Sequence, residues 1–386
     1  MRLQPSVSGV KLEHANLSLS SVDYAAAVTE SRSLDLLREL VEIESPTYTP
    51  GTRAVALRVG RELEALGGKV SLLDGDHLRA ELPGNGPPLL LSGHVDTVWP
   101  IGTLAAMPFR VAGDRAFGPG VYDMKACLVL LLEAIRRAGP GRRALRVFLT
   151  ADEEMGTPTG RRPLQAAADG VAAAFVVEPP GSTGNLKTSR KGLGRFTLRI
   201  TGRAAHAGTH PEEGVSAIHE LAHQIHALHA LRDQKRRVSI NVGVVSGGTS
   251  ENVVAAEAEA RVDVRVVHAA DRDRIERALA ELTPVDPDVK LELLGGWTRP
   301  PLERSAGAAR LLARANEYGR ELGLDLDEES SGGGSDGNLI GALGIPVLDG
   351  LGAQGGGAHA ADEHVVLSSI PVRAELLSRL LRDPGL

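Results

Sequence analysis

Apolar residues follow two different spacings along this chain, and each spacing predicts a different kind of element. In residues 34–41 and 55–66 they recur every three or four positions, which predicts two amphipathic helices. Residues 89–91 and 144–150 are mostly apolar runs of strand length, which is typical of parallel strands buried on both faces. A further apolar helix is predicted at 126–138. Helices that alternate with buried strands predict an α/β fold.

Each of three predicted buried strands is followed directly by side chains that can bind a metal ion. These side chains are His94 after the first strand, Glu153 with Glu154 after the second, and Glu178 after a third strand at 172–177. Asp123 lies between them in the chain, at the start of the 126–138 helix. Because open α/β sheets carry their chemistry where parallel strands end, these residues are predicted to lie close together.

Each of these residues also has an ordinary structural role that the pattern leaves open. Asp123 stands where an aspartate usually caps a helix, and adjacent acidic residues in loops are usually just solvated. In metal hydrolysis, one of Glu153 and Glu154 would bind the metal and the other would take a proton from the attacking water. His94 would be a ligand, and Asp96 would fix its tautomer and orientation. The repetition at three strand ends favours a metal site.

The hydrophobic pattern changes after residue 190. Alternating strands and helices then predict a compact α+β unit of βαββαβ type, with strands at 193–201, 238–245 and 256–267 and helices at 214–231 and 270–282. The α/β pattern returns near residue 301. The predicted domains are therefore residues 1–191, with an irregular extension at 1–30, an inserted unit at 192–300, and residues 301–386, which complete the first domain.

Composition excludes several classes of function. The 386 residues carry a net charge of −6 and only 3% aromatic residues, so a basic nucleic-acid surface with stacking platforms is not expected. Cys127 is the single cysteine, so any metal site must use His, Asp and Glu. The first 30 residues hold no apolar segment typical of a signal peptide, and no apolar run approaches the roughly 18 residues of a membrane span. A cytoplasmic protein without a membrane partner is predicted.

Five short motifs together resemble one enzyme family. They are Ser92-Gly93-His94-Val95-Asp96-Thr97, Gly118-Pro119-Gly120-Val121-Tyr122-Asp123-Met124-Lys125, Asp152-Glu153-Glu154, Glu178-Pro179 and the late His359. In this order they resemble the co-catalytic di-zinc metallopeptidases, the family of carboxypeptidase G, acetylornithine deacetylase and succinyl-diaminopimelate desuccinylase. The resemblance covers residues 33–384, and it departs at Ala126, where the family usually has Gly.

The resemblance implies a centre of two zinc ions per chain, with cobalt and manganese as alternative metals. Asp123 would bridge both ions. His94 and Glu178 would complete the ligands of one ion, and Glu154 and His359 would complete those of the other. Mixed histidine and carboxylate ligands without a thiolate suit catalytic rather than structural zinc.

The same resemblance implies the catalytic roles and the fold. Glu153 would act as the general base, Asp96 would orient a ligand, and the Asp123–Met124 peptide bond would be cis, as in the family. The fold would be a zinc-peptidase-like mixed sheet flanked by helices. The inserted unit would be a ferredoxin-like lid through which two chains form a homodimer.

The resemblance also implies how a small peptide or N-acyl amino acid would bind. His206 would reach across the dimer to the oxyanion in the partner's site. Asn252, Arg265 and Arg299 match the family positions that would hold the substrate carboxylate. Apart from the resemblance, Lys187 would add positive charge there, and the backbone N–H groups around Gly333, at a predicted helix start, suit a carboxylate. Without the resemblance, Arg265 would be read as part of a solvated basic strand edge.

A second metal motif competes with this assignment. His219-Glu220-Leu221-Ala222-His223 satisfies the HExxH pattern of mononuclear zinc proteases, and His229 stands where a third ligand could fall. Those proteases turn the chain at a Gly where this chain has His226. Here an apolar stripe continues the helix instead, through Ile218, Leu221, Ile225 and Leu228. The motif is therefore predicted to be a coincidence on the exposed side of a lid helix.

Three functions are compatible with these residues. The leading hypothesis is a zinc-dependent hydrolase that cleaves an amide or peptide bond and releases a C-terminal amino acid, as a glutamate carboxypeptidase does. An N-acyl-amino-acid deacylase of the acetylornithine deacetylase type would use the same metals, and only the Arg299 segment favours the first hypothesis. A catalytically inactive binding protein is the third, and the intact Glu153 argues against it.

Overall fold

A computed structural model gives the structure of the chain and describes residues 21–385, with side chains from residue 31 onwards. The first helix, α1, spans Ser21–Glu42, so it begins well before the predicted helical repeat at 34–41. The prediction of an irregular extension up to residue 30 is therefore wrong beyond Ser21, where a run of alanines, strong helix formers, supports the helix. The earlier part of that extension lies outside the described residues.

The remaining elements follow the predicted alternation. Those before residue 191 are α2 (Pro50–Ala65), β1 (Lys69–Leu72), β2 (Leu78–Leu82), β3 (Asn85–His94), α3 (Thr103–Ala106), β4 (Arg110–Ala112), β5 (Arg115–Phe117), α4 (Ala126–Ala138), β6 (Arg143–Thr150), α5 (Arg161–Ala168), β7 (Ala173–Val176) and β8 (Leu186–Arg190). Helix α4 has the predicted bounds. Within residues 21–385, no helix is long and apolar enough to cross a membrane.

The second half contains four long strands and then mostly short ones. Its elements are β9 (Gly192–Thr201), α6 (Ala217–Ala230), β10 (Ser239–Gly247), β11 (Glu257–Val266), α7 (Ala269–Ala280), β12 (Lys290–Arg299), α8 (Ala306–Glu321), β13 (Glu328–Ser331), α9 (Asp336–Gly341), β14 (Val347–Leu348), β15 (Gly355–Gly356), β16 (His364–Val366) and α10 (Ser369–Arg382). The elements that the pattern missed, such as β13 and β15, are too short to show a periodicity.

Six strands form the main mixed sheet in the order β1-β2-β6-β3-β7-β14. Strand β3 is parallel to both of its neighbours, β6 and β7, and β14 is parallel to β7. The edge strand β1 is antiparallel to β2, and β2 is antiparallel to β6. The carboxyl ends of β6, β3 and β7 therefore lie side by side at one edge of the sheet.

Helices cover both faces of this sheet, because successive side chains of a strand point to opposite sides. Leu89 and Leu91 of β3 lie in a core with α1, α2, α4 and α10. Leu90, between them, lies in a second core with α5 and α9. The predicted α/β fold, a mixed sheet flanked by helices, is confirmed.

Four strands between residues 192 and 299 form a separate antiparallel sheet in the order β10-β11-β9-β12. With α6 and α7 they have the βαββαβ connectivity of a ferredoxin-like unit and a hydrophobic core of their own. The chain enters and leaves this unit through neighbouring segments, because the Arg190 N–H donates to the Leu302 carbonyl over 2.9 Å and the Leu302 N–H donates back over 3.0 Å. The domain limits at 191/192 and 300/301 and the role of the unit as a lid remain predictions.

Candidate metal centre and active site

Residues from three adjacent strand ends meet at the carboxyl edge of the main sheet. His94 is the last residue of β3, the strand between β6 and β7. Glu153 and Glu154 follow β6 in a short helical turn. Glu178 lies two residues after β7. The strand order, which the sequence did not reveal, is what brings the three segments together.

Asp123 reaches the same edge from the loop before α4. The helix begins at Ala126 with Lys125 as its N-cap residue, so Asp123 is not the helix cap that the sequence left open. Gly120 in this loop has a φ of 69°, and a Cβ atom there would lie 2.4 Å from the Thr97 side chain, so only glycine fits. The Asp123–Met124 peptide bond is cis, as the resemblance implied.

The predicted metal ligands form two sets that share Asp123. In the first set, His94 Nε2 lies 3.1 Å from Asp123 Oδ1 and 3.7 Å from Glu178 Oε1. In the second set, His359 Nε2 lies 3.4 Å from Asp123 Oδ2 and 3.3 Å from Glu154 Oε1. Each oxygen of Asp123 therefore faces a different histidine.

These separations fit two divalent cations. Tetrahedral zinc with ligands at about 2.0–2.1 Å places neighbouring ligand atoms roughly 3.3 Å apart. The four distances in the two sets run from 3.1 to 3.7 Å. Among the described residues, no group makes a well-formed hydrogen bond to the buried Oε1 atom of Glu154. Buried polar atoms normally have a partner, and a bound cation would supply one here.

Asp96 supports both the histidine and the two glutamates. His94 Nδ1 lies 2.9 Å from the backbone oxygen of Asp96 and 3.4 Å from its carboxylate, so donation from Nδ1 leaves Nε2 to bind a metal. The Asp96 carboxylate accepts the backbone N–H groups of Glu153 over 3.2 Å and Glu154 over 3.1 Å, and the Thr47 hydroxyl over 2.7 Å. Asp96 therefore has the predicted orienting position, although its backbone oxygen is the nearer partner of the ring.

Arg299, the last residue of β12, reaches from the four-stranded sheet to Glu153. Its buried guanidinium donates to the Glu153 carboxylate over 2.7 Å and to the Asp336 carboxylate over 3.0 Å. Burial raises the pKa of Glu153 well above its usual value, although the charge of Arg299 opposes this shift. A buried carboxyl group of raised pKa beside candidate metal ligands is a candidate general base.

Burial and mutual proximity also shift the pKa values of the candidate metal ligands. Burial raises the pKa of Glu178 to about 7, and the charge of Asp123 adds to the effect. The adjacent carboxylates of Asp123 and Glu154, 3.4 and 3.3 Å from Nε2, raise the pKa of His359 to about 10. Burial lowers the pKa of His94, but the neighbouring carboxylates outweigh it and hold that pKa well above its usual value. A cation that binds here therefore has to displace protons.

Lys187 and Gly333, two candidates for substrate binding, contact residues that lie next to Glu178. The Lys187 ammonium donates to the backbone oxygen of Pro179 over 2.8 Å, next to Glu178. The Gly333 carbonyl accepts a hydrogen bond from Arg190 Nη1 over 3.3 Å, and Arg190 Nη2 lies 4.0 Å from Glu178 Oε2. Both residues therefore lie close to the Glu178 side of the centre.

The remaining candidates belong to the four-stranded unit. Arg265 pairs with Asp263 over 2.8 Å and donates a hydrogen bond to the Gly332 carbonyl over 2.8 Å. Its guanidinium therefore contacts the glycine-rich loop of residues 332–334. His206 and Asn252 are exposed. Between residues 31 and 385, no hydrogen bond or ion pair joins either of them to the metal ligands. The single chain thus brings Arg299 to the centre but not His206 or Asn252.

Several buried polar residues of this centre were missed by the sequence interpretation. Glu363 accepts hydrogen bonds from the loop of Asp123. Arg190 donates two hydrogen bonds to Asp349, over 2.6 and 2.8 Å, and Asp336 accepts from Arg299. The partners in each pair are far apart in the chain, so no local pattern joins them. The only available signal was the position of Glu363, in the same loop as His359.

The glutamate of the HExxH motif is directed into its own unit and not towards a metal position. The buried Glu220 carboxylate accepts the backbone N–H groups of Val285 and Asp286, each over 3.0 Å. His219 and His223 are exposed on α6. Because the side chain of Gln224 and these backbone N–H groups occupy the Glu220 carboxylate, it is not available as a general base for the two histidines, which agrees with the prediction that the motif is coincidental.

We therefore predict that replacing His219 and His223 together with Ala leaves the metal content and kcat nearly unchanged. Both side chains are exposed, and neither belongs to the ligand sets around Asp123. Metal analysis and kinetics of the purified double variant test this. His94→Ala, assayed in parallel, should lose metal, and a comparable loss in the double variant would show that the HExxH motif is the working site.

Comparison with known proteins gives one consistent family. The sequence model described as peptidase family M20/M25/M40 matches residues 90–383. Carboxypeptidase G2 from Pseudomonas sp. is 33% identical over 388 residues, covering 95% of this chain and 92% of that protein. Succinyl-diaminopimelate desuccinylase from Thioalkalivibrio sulfidiphilus is 27% identical, covering 91% of this chain and 98% of that protein.

Solved structures share the fold. Aminopeptidase PepT from Bacillus cereus superposes with a TM-score of 0.75 at 23% identity, covering 92% of this chain and 98% of its own. The YXEP protein of Bacillus subtilis, described as a dinuclear metal binding peptidase, gives a TM-score of 0.66 at 18% identity, covering 92% and 99%. Since the family model matches most of the chain and a relative is 33% identical along nearly all of it, this protein belongs to peptidase family M20/M25/M40.

Proposed function

We propose that this family member is a di-zinc hydrolase that cleaves an amide or peptide bond and releases a C-terminal amino acid, in the manner of a glutamate carboxypeptidase. One observation carries the proposal: Asp123 Oδ1 lies 3.1 Å from His94 Nε2, while Oδ2 lies 3.4 Å from His359 Nε2. A carboxylate that faces two ligand sets in this way suits a pair of cations a few ångströms apart, as in two-metal hydrolases.

Each of the two ligand sets would hold one metal ion. His94 and Glu178 would hold one ion together with Asp123, and Glu154 and His359 would hold the other. Histidine nitrogen and carboxylate oxygen atoms are good zinc ligands, and cobalt and manganese accept the same donors. Zinc is therefore the first metal to test, with cobalt and manganese as alternatives.

Glu153 would move the proton during the reaction. When bound, the two ions would make water nucleophilic near neutral pH and polarise the substrate carbonyl. A Glu153 carboxylate oxygen lies within 4.8 Å of ligand atoms of His94 and Glu178, close enough to reach a water at the centre. Glu153 would take a proton from this water and later give it to the leaving amine. Arg299 would hold Glu153 in place through its 2.7 Å hydrogen bond.

The leaving amino acid would be recognised through its α-carboxylate. Arg265, Lys187 and the backbone N–H groups around Gly333 would supply the positive charge and hydrogen-bond donors, with Asn252 contributing from the lid. The similarity to carboxypeptidase G2 over 95% of this chain supports an amino-acid leaving group. His206, which forms no hydrogen bond or ion pair with the candidate metal ligands between residues 31 and 385, would act on the oxyanion in the partner's site.

The edge of the four-stranded sheet supports the homodimer that this role of His206 needs. Strand β10 lies at the edge and exposes Val244 and Val245, which are 52% and 54% exposed. Ile218 of α6, 48% exposed, lines the same cavity as Val245. The outer edge of β10, which pairs with no other strand among the described residues, offers a second copy of the chain both hydrogen bonds and hydrophobic contact. Placement of this dimer in the cytoplasm remains a prediction from the sequence.

An N-acyl-amino-acid deacylase of the acetylornithine deacetylase type is the second candidate function. Arg299 was the sequence feature that favoured a carboxypeptidase, but its guanidinium is committed to Glu153 and Asp336. The similarity to succinyl-diaminopimelate desuccinylase over 91% of this chain also favours an N-acyl substrate.

A substrate panel with the zinc-loaded protein separates these functions. Peptides and N-aroyl amides that end in glutamate should give a higher kcat/KM than N-acetylornithine or N-succinyl amino acids. The reverse order would favour the deacylase. Binding of these compounds without hydrolysis, at full metal loading, would favour a ligand-binding protein and contradict both enzymes.

We expect two divalent ions per chain after reconstitution, with binding that strengthens as pH rises. The pKa of Glu178 is about 7 and that of His359 about 10, so in acid both ligands hold protons that a cation must displace. Raising the pH removes these protons and therefore increases metal affinity. Calorimetric titration in buffers of different ionisation enthalpy would measure both the stoichiometry and the proton release. A single ion per chain would contradict the two-metal centre.

A further inference from the structure

The buried carboxylate of Glu363 accepts hydrogen bonds from four N–H groups. Its Oε1 accepts the backbone N–H groups of Tyr122 over 3.0 Å and Asp123 over 3.1 Å. Its Oε2 accepts the indole N–H of Trp99 over 2.6 Å and the backbone N–H of Gly120 over 2.9 Å. The residue is only 1% exposed. Every donor lies in a segment distant in sequence, so these contacts hold loops together.

The segments joined by Glu363 are those that carry three of the metal ligands. Trp99 lies in the loop that follows β3 and its terminal His94. The backbone from Gly120 leads directly to Asp123, the residue shared by the two ligand sets. Glu363 itself lies four residues after His359, in a turn closed by its own backbone N–H. One side chain therefore connects the segments of both histidines with the shared aspartate.

The loop before Asp123 has little freedom to replace this carboxylate with another acceptor. Gly120 and Tyr122 are buried, and a buried N–H group without an acceptor costs about 1–3 kcal/mol. The loop is also closely packed, because a Cβ atom on Gly120 would lie 2.4 Å from the Thr97 side chain. The path of the backbone into Asp123 therefore depends on where Glu363 holds these donors.

We propose that Glu363 is a positioning residue that sets the place of Asp123 relative to His94 and His359, and thereby the metal affinity of the centre. It acts through the backbone N–H of Asp123 and does not touch the substrate. This inference rests on the metal centre proposed above. Groups that orient metal ligands in this way typically change metal affinity or activity about 10–100-fold when they are replaced.

Glu363→Gln tests the proposal with little change in side-chain size. One acceptor oxygen becomes an NH2 group, which must then face two N–H donors. We expect metal affinity, measured on the metal-free protein by competition with a chelator, to fall about 10–100-fold. We also expect a lower kcat with little change in KM, and an altered visible absorption spectrum of the cobalt-substituted protein, because the ligand geometry changes. Trp99→Phe removes a single donor and should give a smaller loss of metal affinity.

Glu220→Gln is the matched control. Glu220 is also a buried carboxylate that accepts backbone N–H groups, those of Val285 and Asp286, but it lies on α6 of the four-stranded unit. Its replacement should lower the melting temperature without changing metal affinity. Equal metal affinity in the wild type and Glu363→Gln, with only a lower melting temperature, would overturn the positioning role.

Two further outcomes keep the test decisive. If Glu363→Gln does not fold, Trp99→Phe carries the test, and wild-type metal affinity in that variant would overturn the proposal. The comparison is made on whatever ions the wild type binds. A wild type that binds one ion would therefore contradict the two-metal centre, whereas an unchanged affinity in the variants would contradict the role of Glu363.

Discussion

Glu153→Gln is expected to lower kcat by roughly 10²–10⁴ while both metal ions stay bound. Glutamine keeps the shape of the side chain and its hydrogen bond from Arg299, but it cannot take a proton from water. Glu153 is oriented by Arg299 over 2.7 Å, while the shared Asp123 is faced by His94 and His359. Metal content should therefore be retained, and KM should change little because substrate binding is preserved.

Glu154→Gln provides the contrast, because Glu154 is proposed as a metal ligand and not as the base. Glu154 Oε1 lies 3.3 Å from His359 Nε2 in the second ligand set. Its replacement should weaken the binding of one metal ion, and added zinc should restore part of the activity. Metal analysis and kinetics of both variants separate the roles. Loss of metal from Glu153→Gln with retention in Glu154→Gln would reverse the assignment, and full activity of Glu153→Gln would contradict the general-base mechanism.

Arg299→Met is expected to lower the free energy of unfolding by roughly 3–5 kcal/mol, because it leaves buried carboxylates without their positive partner. Arg299 and Asp336 are 3% and 1% exposed, and Arg299 also donates to Glu153 over 2.7 Å. The charge of Arg299 opposes the burial that raises the pKa of Glu153, so its removal should raise this pKa further. The base must be ionised to act, and the acid limb of the kcat–pH profile should therefore move to higher pH.

Arg265→Met is the control for this prediction. Arg265 pairs with Asp263 in a partly exposed position, with 31% and 34% of the side chains accessible, and such pairs contribute about 0–1 kcal/mol. The variant should keep its stability and show a higher KM if Arg265 holds the substrate carboxylate. Denaturant titration and kinetics compare the two variants. If Arg299→Met is as stable as Arg265→Met and changes only KM, Arg299 serves the substrate and does not support Glu153.

The sequence was informative wherever a property repeats locally. Strand β3 and helix α4 could be predicted because a strand buried on both faces and an apolar helix leave runs of apolar residues. His94 and Glu178 could be predicted as candidate ligands because each stands at the end of such a strand, and the short motif around Asp123 carried the family resemblance. The α/β class and the βαββαβ connectivity could therefore be predicted before any coordinates, and so could the candidates for the ligand set.

Only the tertiary structure decided which distant residues meet. Arg299 and Glu153 are 146 residues apart, and Glu363 and Asp123 are 240 apart, yet each pair shares a hydrogen bond. The spatial order β6-β3-β7 places the ligand segments side by side, and it differs from the order in which these strands occur in the sequence. Hydrophobic periodicity indicates only local secondary structure, within a few residues along the sequence. The partner of a buried charge depends on how layers pack. The sequence by itself therefore predicted the candidate metal ligands, while packing revealed the groups that contact them.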